Sequence, residues 1–166
     1  MNWDAVGAIG EILGAIAVFG SLLYLAVQIK AQNKESRLSA IIEFTDLYNQ
    51  VTDSVSSDAE MSRIWVRAAT GGLNELDEAE TVRYVALLQK ITRMWENSYY
   101  QHKDGRLDTR LWNSFNTQIS EVSTLPAYKT FWGRRSHYFS EEFREFVKSN
   151  DADDYQLLSE NRDGDT

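Results

Sequence analysis

The chain has 166 residues, of which 25 are acidic and 17 are basic, so its formal net charge is −8. No nucleic-acid partner is expected, because the neutralisation of phosphates requires clustered lysine and arginine. The absence of cysteine excludes disulfides, thiolate metal sites and cysteine nucleophiles. Beyond a membrane segment, the remaining length allows one domain of ordinary size.

Residues 5–29 form an apolar stretch that is interrupted by one charge, Glu11. The uncharged part, residues 12–29, would rise about 27 Å as a helix, which is close to the hydrocarbon thickness of a bilayer. We therefore predict that residues 1–30 form a transmembrane anchor whose first partner is the lipid bilayer. A buried core helix or a cleaved secretory signal has a similar apolar run, but a signal begins with positive residues, whereas Asp4 precedes this one.

Basic residues follow the apolar run closely and predict its orientation. Lys30, Lys34 and Arg37 lie directly after it, and cytoplasmic flanks of membrane helices carry an excess of lysine and arginine. The C-terminal side is therefore expected in the cytoplasm and the short N-terminus outside.

Small residues recur in the anchor at alternating steps of three and four, which places them on one helical face. Helix association in a bilayer depends on close approach of the backbones, and Gly10 with Gly14 forms a small-xxx-small step. We predict homo-oligomerisation through this small-residue face, although glycine and alanine are also common in anchors that do not associate. The face consists of Gly7, Gly10, Gly14, Ala17 and Ser21.

Glu11 lies beside the small-residue face, and its depth in the bilayer is open. If the hydrocarbon begins at Ile12, the carboxylate faces headgroups and water. If the span begins near Ala5, the carboxylate is a charge within the membrane, and an oligomer would carry a ring of such groups. The second arrangement would suit an ion pathway.

Residues 31–148 predict an all-α helical bundle in the cytosol, because apolar residues recur at helical spacing and no strand alternation is present. The anchor is expected to continue into the first helix of this bundle. The apolar residues of that continuation are Leu38, Ile41, Ile42, Phe44, Tyr48, Val51 and Val55.

Five further helices are predicted from their terminal residues and apolar stripes. Gly71 and Gly72 stop the first of them, and Asp77 with Glu80 forms a capping box for the second, which should end near Gly105. The expected inward-facing residues of the five helices are Met61, Ile64, Trp65, Ala68, Tyr84, Leu88, Ile91, Trp95, Leu111, Trp112, Phe115, Ile119, Val122, Tyr128, Phe131, Trp132, Phe143, Phe146 and Val147.

The last three helices have local start signals. Asp108 is the N-cap of the first, Thr124 with Pro126 opens the next, and Ser140 precedes the last. Residues 149–166 are acidic, polar and nearly free of large apolar groups, so they are predicted to be a disordered tail.

Polar side chains that could line a site occur in two stretches. One lies along the C-terminal half of the long helix, and the other follows Trp132. A glutamate beside arginine and histidine can do acid–base chemistry in a bundle, but arginine and glutamate three residues apart on a helix usually form a solvated ion pair. The predicted polar pocket consists of Arg93, Glu96, Asn97, Tyr100, Arg134 and His137.

The histidines give no metal-binding signal. His102 and His137 are far apart in the sequence and have no third ligand at a suitable spacing, so neither a metal nor another cofactor is expected.

Three segments carry a resemblance to a known family. They are WDAVGAIGEILGAIAVFGSLLYLAVQIK at 3–30, WENSYYQHKDGRLDTRLW at 95–112 and FWGRRSHYF at 131–139. With these the chain resembles a widespread family of small bacterial single-pass membrane proteins to which no reaction is assigned. The resemblance implies placement in the inner membrane and a helical cytosolic domain, and it supplies no catalytic residue.

Three functions are consistent with these patterns. The first is a self-associating membrane-anchored scaffold that recruits a protein partner of unknown identity. The second is an oligomeric pore or membrane-perturbing defence effector, since the architecture is similar to that of membrane-anchored accessory proteins of type VI CRISPR defence, which resemble HEPN domains. HEPN ribonucleases need an arginine and a histidine farther apart than Arg134 and His137. The third is an enzyme with a pocket in the bundle.

Overall fold

The computed structural model describes residues 3–150 and shows an all-α fold, with six α-helices and no strand in that range. Most of the predicted tail, residues 151–166, lies outside the described residues. The helices are α1 (Trp3–Ser56), α2 (Ala59–Gly71), α3 (Glu78–Lys103), α4 (Thr109–Thr124), α5 (Pro126–Arg135) and α6 (Glu141–Ser149), with short 3-10 turns at Leu73–Glu75 and Ser136–Tyr138.

The chain divides into two compact units, an N-terminal unit (Met1–Ser39) and a C-terminal unit (Ala40–Thr166). Within the N-terminal unit, the most apolar 18-residue window of α1 has a mean hydropathy of 2.2, and none of it is buried. By length and composition, α1 is the one helix in the described range that can cross a membrane. The predicted anchor ends at residue 30, whereas the N-terminal unit extends to Ser39; residues 31–39 are all exposed, and Ala40 is buried.

Local capping explains where the helices of the C-terminal unit begin and end. At the C-terminus of α2, Gly72 has a φ of 80°, a conformation that glycine adopts without strain, and its N–H donates to the Ala68 carbonyl. At the start of α3, Asp77 and Glu80 form the predicted capping box. The carboxylate of Asp108 accepts from the backbone amide of Arg110 and so caps α4 as predicted.

Of the last two predicted helix starts, one differs from the structure. Thr124 does not open α5, because it is the last residue of α4 and its hydroxyl donates to the Glu121 carbonyl; Leu125 is the N-cap, with Pro126 following. The other is confirmed, because α6 begins directly after Ser140, which is its N-cap, although the Ser140 side chain makes no capping hydrogen bond. Its hydroxyl instead accepts from the Tyr100 hydroxyl at 2.8 Å.

The core of the C-terminal unit combines aliphatic side chains with a set of aromatic rings that α3 to α6 contribute. The ring of Tyr99 packs against those of Trp112, Phe143 and Phe146, with centroid separations of 6.1, 5.8 and 4.8 Å. Aromatic pairs at such separations stabilise a core beyond the area that they bury. Residues 40–56 of α1 add a partly buried stripe, in which Phe44 meets the edge of Phe115 at 4.6 Å.

The predicted tail begins two residues too early. Ser149 ends α6, and the side-chain amide of Asn150 donates to Asn116 Oδ1 at 3.0 Å and to Ser120 Oγ at 2.9 Å. The C-terminus of α6 is thereby attached to α4.

The N-cap of α2 predicts a pH-dependent stability. The hydrogen bond from the Glu60 amide, together with the guanidinium of Arg83, lowers the pKa of the Asp58 carboxyl below its ordinary value of 3.8. Because the lowered pKa belongs to the folded state, this stabilisation is complete above pH 3.8 and is lost as the pH falls through the folded-state pKa. We expect the free energy of unfolding of Asp58→Asn to decrease less steeply at acidic pH than that of the wild type. Urea denaturation, followed by tryptophan fluorescence at several pH values, measures this dependence.

The matched control for this experiment is Asp53→Asn, because the Asp53 side chain is exposed and makes no hydrogen bond or ion pair among the described residues. An equally steep decrease at acidic pH in Asp58→Asn and in the wild type would contradict the assignment.

Candidate functional site

A concave surface of the C-terminal unit lies between the second half of α1 and the C-terminal half of α3. This α1–α3 groove has a volume of about 640 Å³. Four residues of the predicted polar pocket line it: Arg93, Glu96, Asn97 and Tyr100. The other lining residues were not predicted, and they are Glu43, Leu47, Val51, Lys90 and Met94.

Glu96 is the most buried charged residue of the groove, with 6% of its surface exposed. Its Oε1 accepts a hydrogen bond from the backbone amide of Ser140 at 2.7 Å, and its Oε2 accepts from Arg93. The carboxylate therefore satisfies the N–H of the α6 N-cap residue, the position at which a helix needs an acceptor from outside. Both oxygens are occupied in holding the start of α6 against α3.

Arg93 completes this attachment from the same helix. One guanidinium nitrogen pairs with Glu96, and another donates to the carbonyl of Tyr138 at 3.0 Å. The guanidinium carbon lies 4.7 Å from the ring centroid of Phe139, a cation–π distance. Arg93 and Glu96 thus bind three consecutive residues, 138–140. We call this arrangement the Arg93–Glu96 clip.

The remaining polar groups of the groove also have partners within the chain. Lys90 Nζ donates to the carbonyl of Gln50 at 3.3 Å, and Asn97 Oδ1 accepts from the Gln101 side chain at 3.4 Å. The Tyr100 hydroxyl is engaged with Ser140. The Glu43 side chain is exposed and makes no hydrogen bond among the described residues. Most polar side chains that line the α1–α3 groove therefore make contacts within the chain.

Arg134 and His137 do not join the other four predicted residues. Both side chains are exposed, and neither lines the α1–α3 groove. The physical reason is their position, since Arg134 lies in the last turn of α5 and His137 lies in the following 3-10 turn, where its ring packs against Tyr138 at a centroid separation of 4.5 Å. The six residues thus do not form one pocket.

The other histidine is packed in the bundle. The His102 ring is stacked on Trp112 with a centroid separation of 4.9 Å and an interplanar angle of 5°. Its Nδ1 is buried and has no hydrogen-bond partner among the described residues. In the same range, no group of three or more histidine, aspartate or glutamate side chains has a geometry suited to a metal ion.

A second groove has a volume of about 410 Å³. It lies between α1, α2, α3 and α4, and Tyr48, Trp65 and Trp95 contribute to its walls. Its charged lining residue is Glu121. Uncharged hydroxyl and amide side chains also line it, so this groove has a mixed apolar and polar surface, which is suited to binding a protein surface rather than to acid–base chemistry.

The small-residue face lies in the N-terminal unit, on exposed helix. A Cβ atom added to Gly7, Gly10 or Gly14 would meet no other atom within 4 Å. The hydroxyl of Ser21 donates to the Ala17 carbonyl at 2.8 Å and is thus satisfied within the helix. Glu11 is exposed on the same helix. A larger side chain on this face would not disturb the single chain, so an effect of such a substitution would report on a neighbouring molecule.

Comparison of the chain with protein-family models, with curated proteins and with solved structures finds no match.

The Arg93–Glu96 clip predicts a measurable contribution to stability. We expect Glu96→Ala to lower the free energy of unfolding by about 1–3 kcal/mol, because the Ser140 N–H loses its acceptor in a partly buried position. Glu96→Gln should cost less, since it keeps an oxygen for that N–H. Urea denaturation of the full chain in detergent would measure both.

The coupling energy between Arg93 and Glu96 distinguishes a specific interaction of this pair from a general loss of packing. In a double-mutant cycle of Arg93→Ala and Glu96→Gln, we expect a coupling energy of about 1 kcal/mol. The exposed neighbour Gln89→Ala serves as the control on the same helix. Additive effects of the two substitutions would show that the pair does not act as a unit.

Proposed function

We propose that this protein is a single-pass membrane protein whose helical C-terminal unit lies in the cytoplasm and recruits a protein partner. The observation that carries the proposal is the apolar part of α1, which has a mean hydropathy of 2.2 and no buried residue. Such a surface is unfavourable in water, and a helix satisfies its own backbone hydrogen bonds in hydrocarbon. The resemblance to small bacterial single-pass proteins supports an inner-membrane location.

The distribution of charge supports the proposed orientation. Lys30, Lys34 and Arg37 follow the apolar segment, whereas Asp4 and Glu11 are the charges at its other end. Because positively charged flanks stay in the cytoplasm, the N-terminus is proposed to lie outside.

The character of the two grooves favours recruitment over catalysis. The charged groups of the α1–α3 groove are engaged with residues 138–140 and with α1, which leaves few groups to act on a substrate. The second groove offers tryptophan and tyrosine side chains, which are enriched where proteins bind one another. We therefore place the proposed partner contact at the second groove.

The membrane proposal predicts a specific fractionation result. In lysed cells, the full-length protein should sediment with membranes and resist alkaline extraction. Leu22→Arg combined with Leu23→Arg should shift it towards the extractable fraction, because each arginine at the centre of a span costs about 2.5–3.5 kcal/mol. The matched control is Gln32→Arg combined with Asn33→Arg, which adds the same charge outside the apolar run.

Labelling of single introduced cysteines can test the orientation, because the natural chain has no cysteine that would react as well. A cysteine introduced at Asn2 should react with a membrane-impermeant maleimide in intact spheroplasts, and one introduced at Lys129 should react only after lysis. Recovery of the wild-type protein in the supernatant without detergent would overturn the membrane proposal, and the reverse labelling pattern would overturn the orientation.

We further propose that the small-residue face mediates self-association. Gly10→Ile combined with Gly14→Ile should reduce the dimer and higher species that an amine-reactive crosslinker traps in isolated membranes. A tenfold weaker association corresponds to about 1.4 kcal/mol, which is within the range of helix packing in bilayers. The mechanism is steric, because the branched side chains would keep two backbones apart.

Ala8→Ile combined with Ala15→Ile is the matched control, since these positions lie on the opposite side of the same helix. Equal loss of crosslinking in both double variants, or an exclusively monomeric wild-type protein, would contradict self-association through this face.

A further inference from the structure

Three cations lie on one side of α1 directly after its apolar segment. Lys30, Lys34 and Arg37 are four and three residues apart, which places them within about 60° of one another around the helix. All three are exposed. Glu35 is the nearby acidic residue, and its position falls on the other side of the helix.

These cations are not neutralised within the chain. None of the ion pairs between described residues involves Lys30, Lys34 or Arg37, whereas Arg67, Arg83 and Lys103 of the C-terminal unit are each paired with a carboxylate. An exposed cluster of three cations without counter-charges attracts anions.

The three cations border an apolar surface of the same helix. Together with Asn33 they line a shallow groove of about 560 Å³, whose remaining walls are Ala26, Ile29 and Leu38. A ligand that fits this groove has an anionic group beside an apolar chain. Inorganic phosphate matches only the polar half.

The axial spacing also matches a lipid headgroup layer. Arg37 lies about 10 Å further along the helix than Lys30, at 1.5 Å per residue. The polar layer of a bilayer is about 5–8 Å thick on each side, and long basic side chains extend towards it from either direction. With Lys30 at the end of the apolar segment, all three cations reach the phosphate level.

We propose that Lys30, Lys34 and Arg37 form a binding site for the anionic headgroup of a phospholipid in the cytoplasmic leaflet, with Ala26 and Ile29 against its acyl chains. The inference rests on the proposed single-pass insertion. This role differs from setting the orientation during insertion, because the basic residues would continue to bind an anionic lipid after the protein has been inserted. Each cation near an anionic surface contributes about a fivefold gain in affinity.

The test uses the full-length protein reconstituted in phosphatidylcholine vesicles with trace spin-labelled lipid. The fraction of motionally restricted label should be several-fold higher for phosphatidylglycerol than for phosphatidylcholine. The triple variant Lys30→Gln, Lys34→Gln and Arg37→Gln should bring this ratio close to one. Because both leaflets contain label, an inverted orientation does not alter the readout.

The control variant carries Lys129→Gln, Arg134→Gln and Arg135→Gln, an equal change of charge at exposed positions of the C-terminal unit, and it should keep the wild-type ratio. A wild-type ratio near one, or an unchanged ratio in the triple variant, would overturn the lipid site. Loss of the preference on adding inorganic phosphate, but not chloride of equal ionic strength, would also overturn it, since the site would then bind phosphate alone. Failure of the wild-type protein to enter phosphatidylcholine vesicles would instead defeat the proposed insertion.

Discussion

The exposed apolar surface of residues 12–29 is the constraint on which the proposed biology depends. None of its side chains is buried in the chain, so its removal from water must come from outside the chain. Full burial of one leucine or isoleucine side chain contributes about 1.5–3 kcal/mol, so a segment of many such residues outweighs any single polar contact in the molecule. The proposed membrane location and the proposed use of the basic flank both depend on this surface, whereas the proposed orientation rests on the charges beside it.

In the C-terminal unit, short helices are held in place by contacts with longer ones. α6 has only nine residues, too few to be stable alone, and it is fixed by Phe143 in the core, by the Glu96 carboxylate at its start and by Asn150 at its end. The polar residues of the α1–α3 groove therefore serve the fold. This use of Arg93 and Glu96 explains why a cluster with the composition of an acid–base site is engaged in packing.

Local patterns in the sequence predict most of the helix boundaries. They do not predict contacts between residues that are far apart in the sequence. The caps at Asp77 and Asp108 were predicted because a cap is formed by residues within one turn. The pairing of Glu96 with Ser140 spans 44 residues and leaves no local pattern. Helical spacing also placed Ile42 in the apolar series that continues the anchor helix, yet Ile42 is 61% exposed, because periodicity does not show which part of an apolar face packs against another helix. The groove residues contributed by α1 were missed for the same reason.

The pairing of α2 with α5 bears on how the protein is made. These helices pack extensively on each other although α2 ends at Gly71 and α5 begins at Pro126. At synthesis rates of about 5–20 residues per second, α2 leaves the ribosome several seconds before its neighbour exists. During that interval α2 has no α5 to pack against, which leaves apolar side chains of the nascent chain uncovered. We therefore expect α2 to reach its final packing only after α5 has been synthesised.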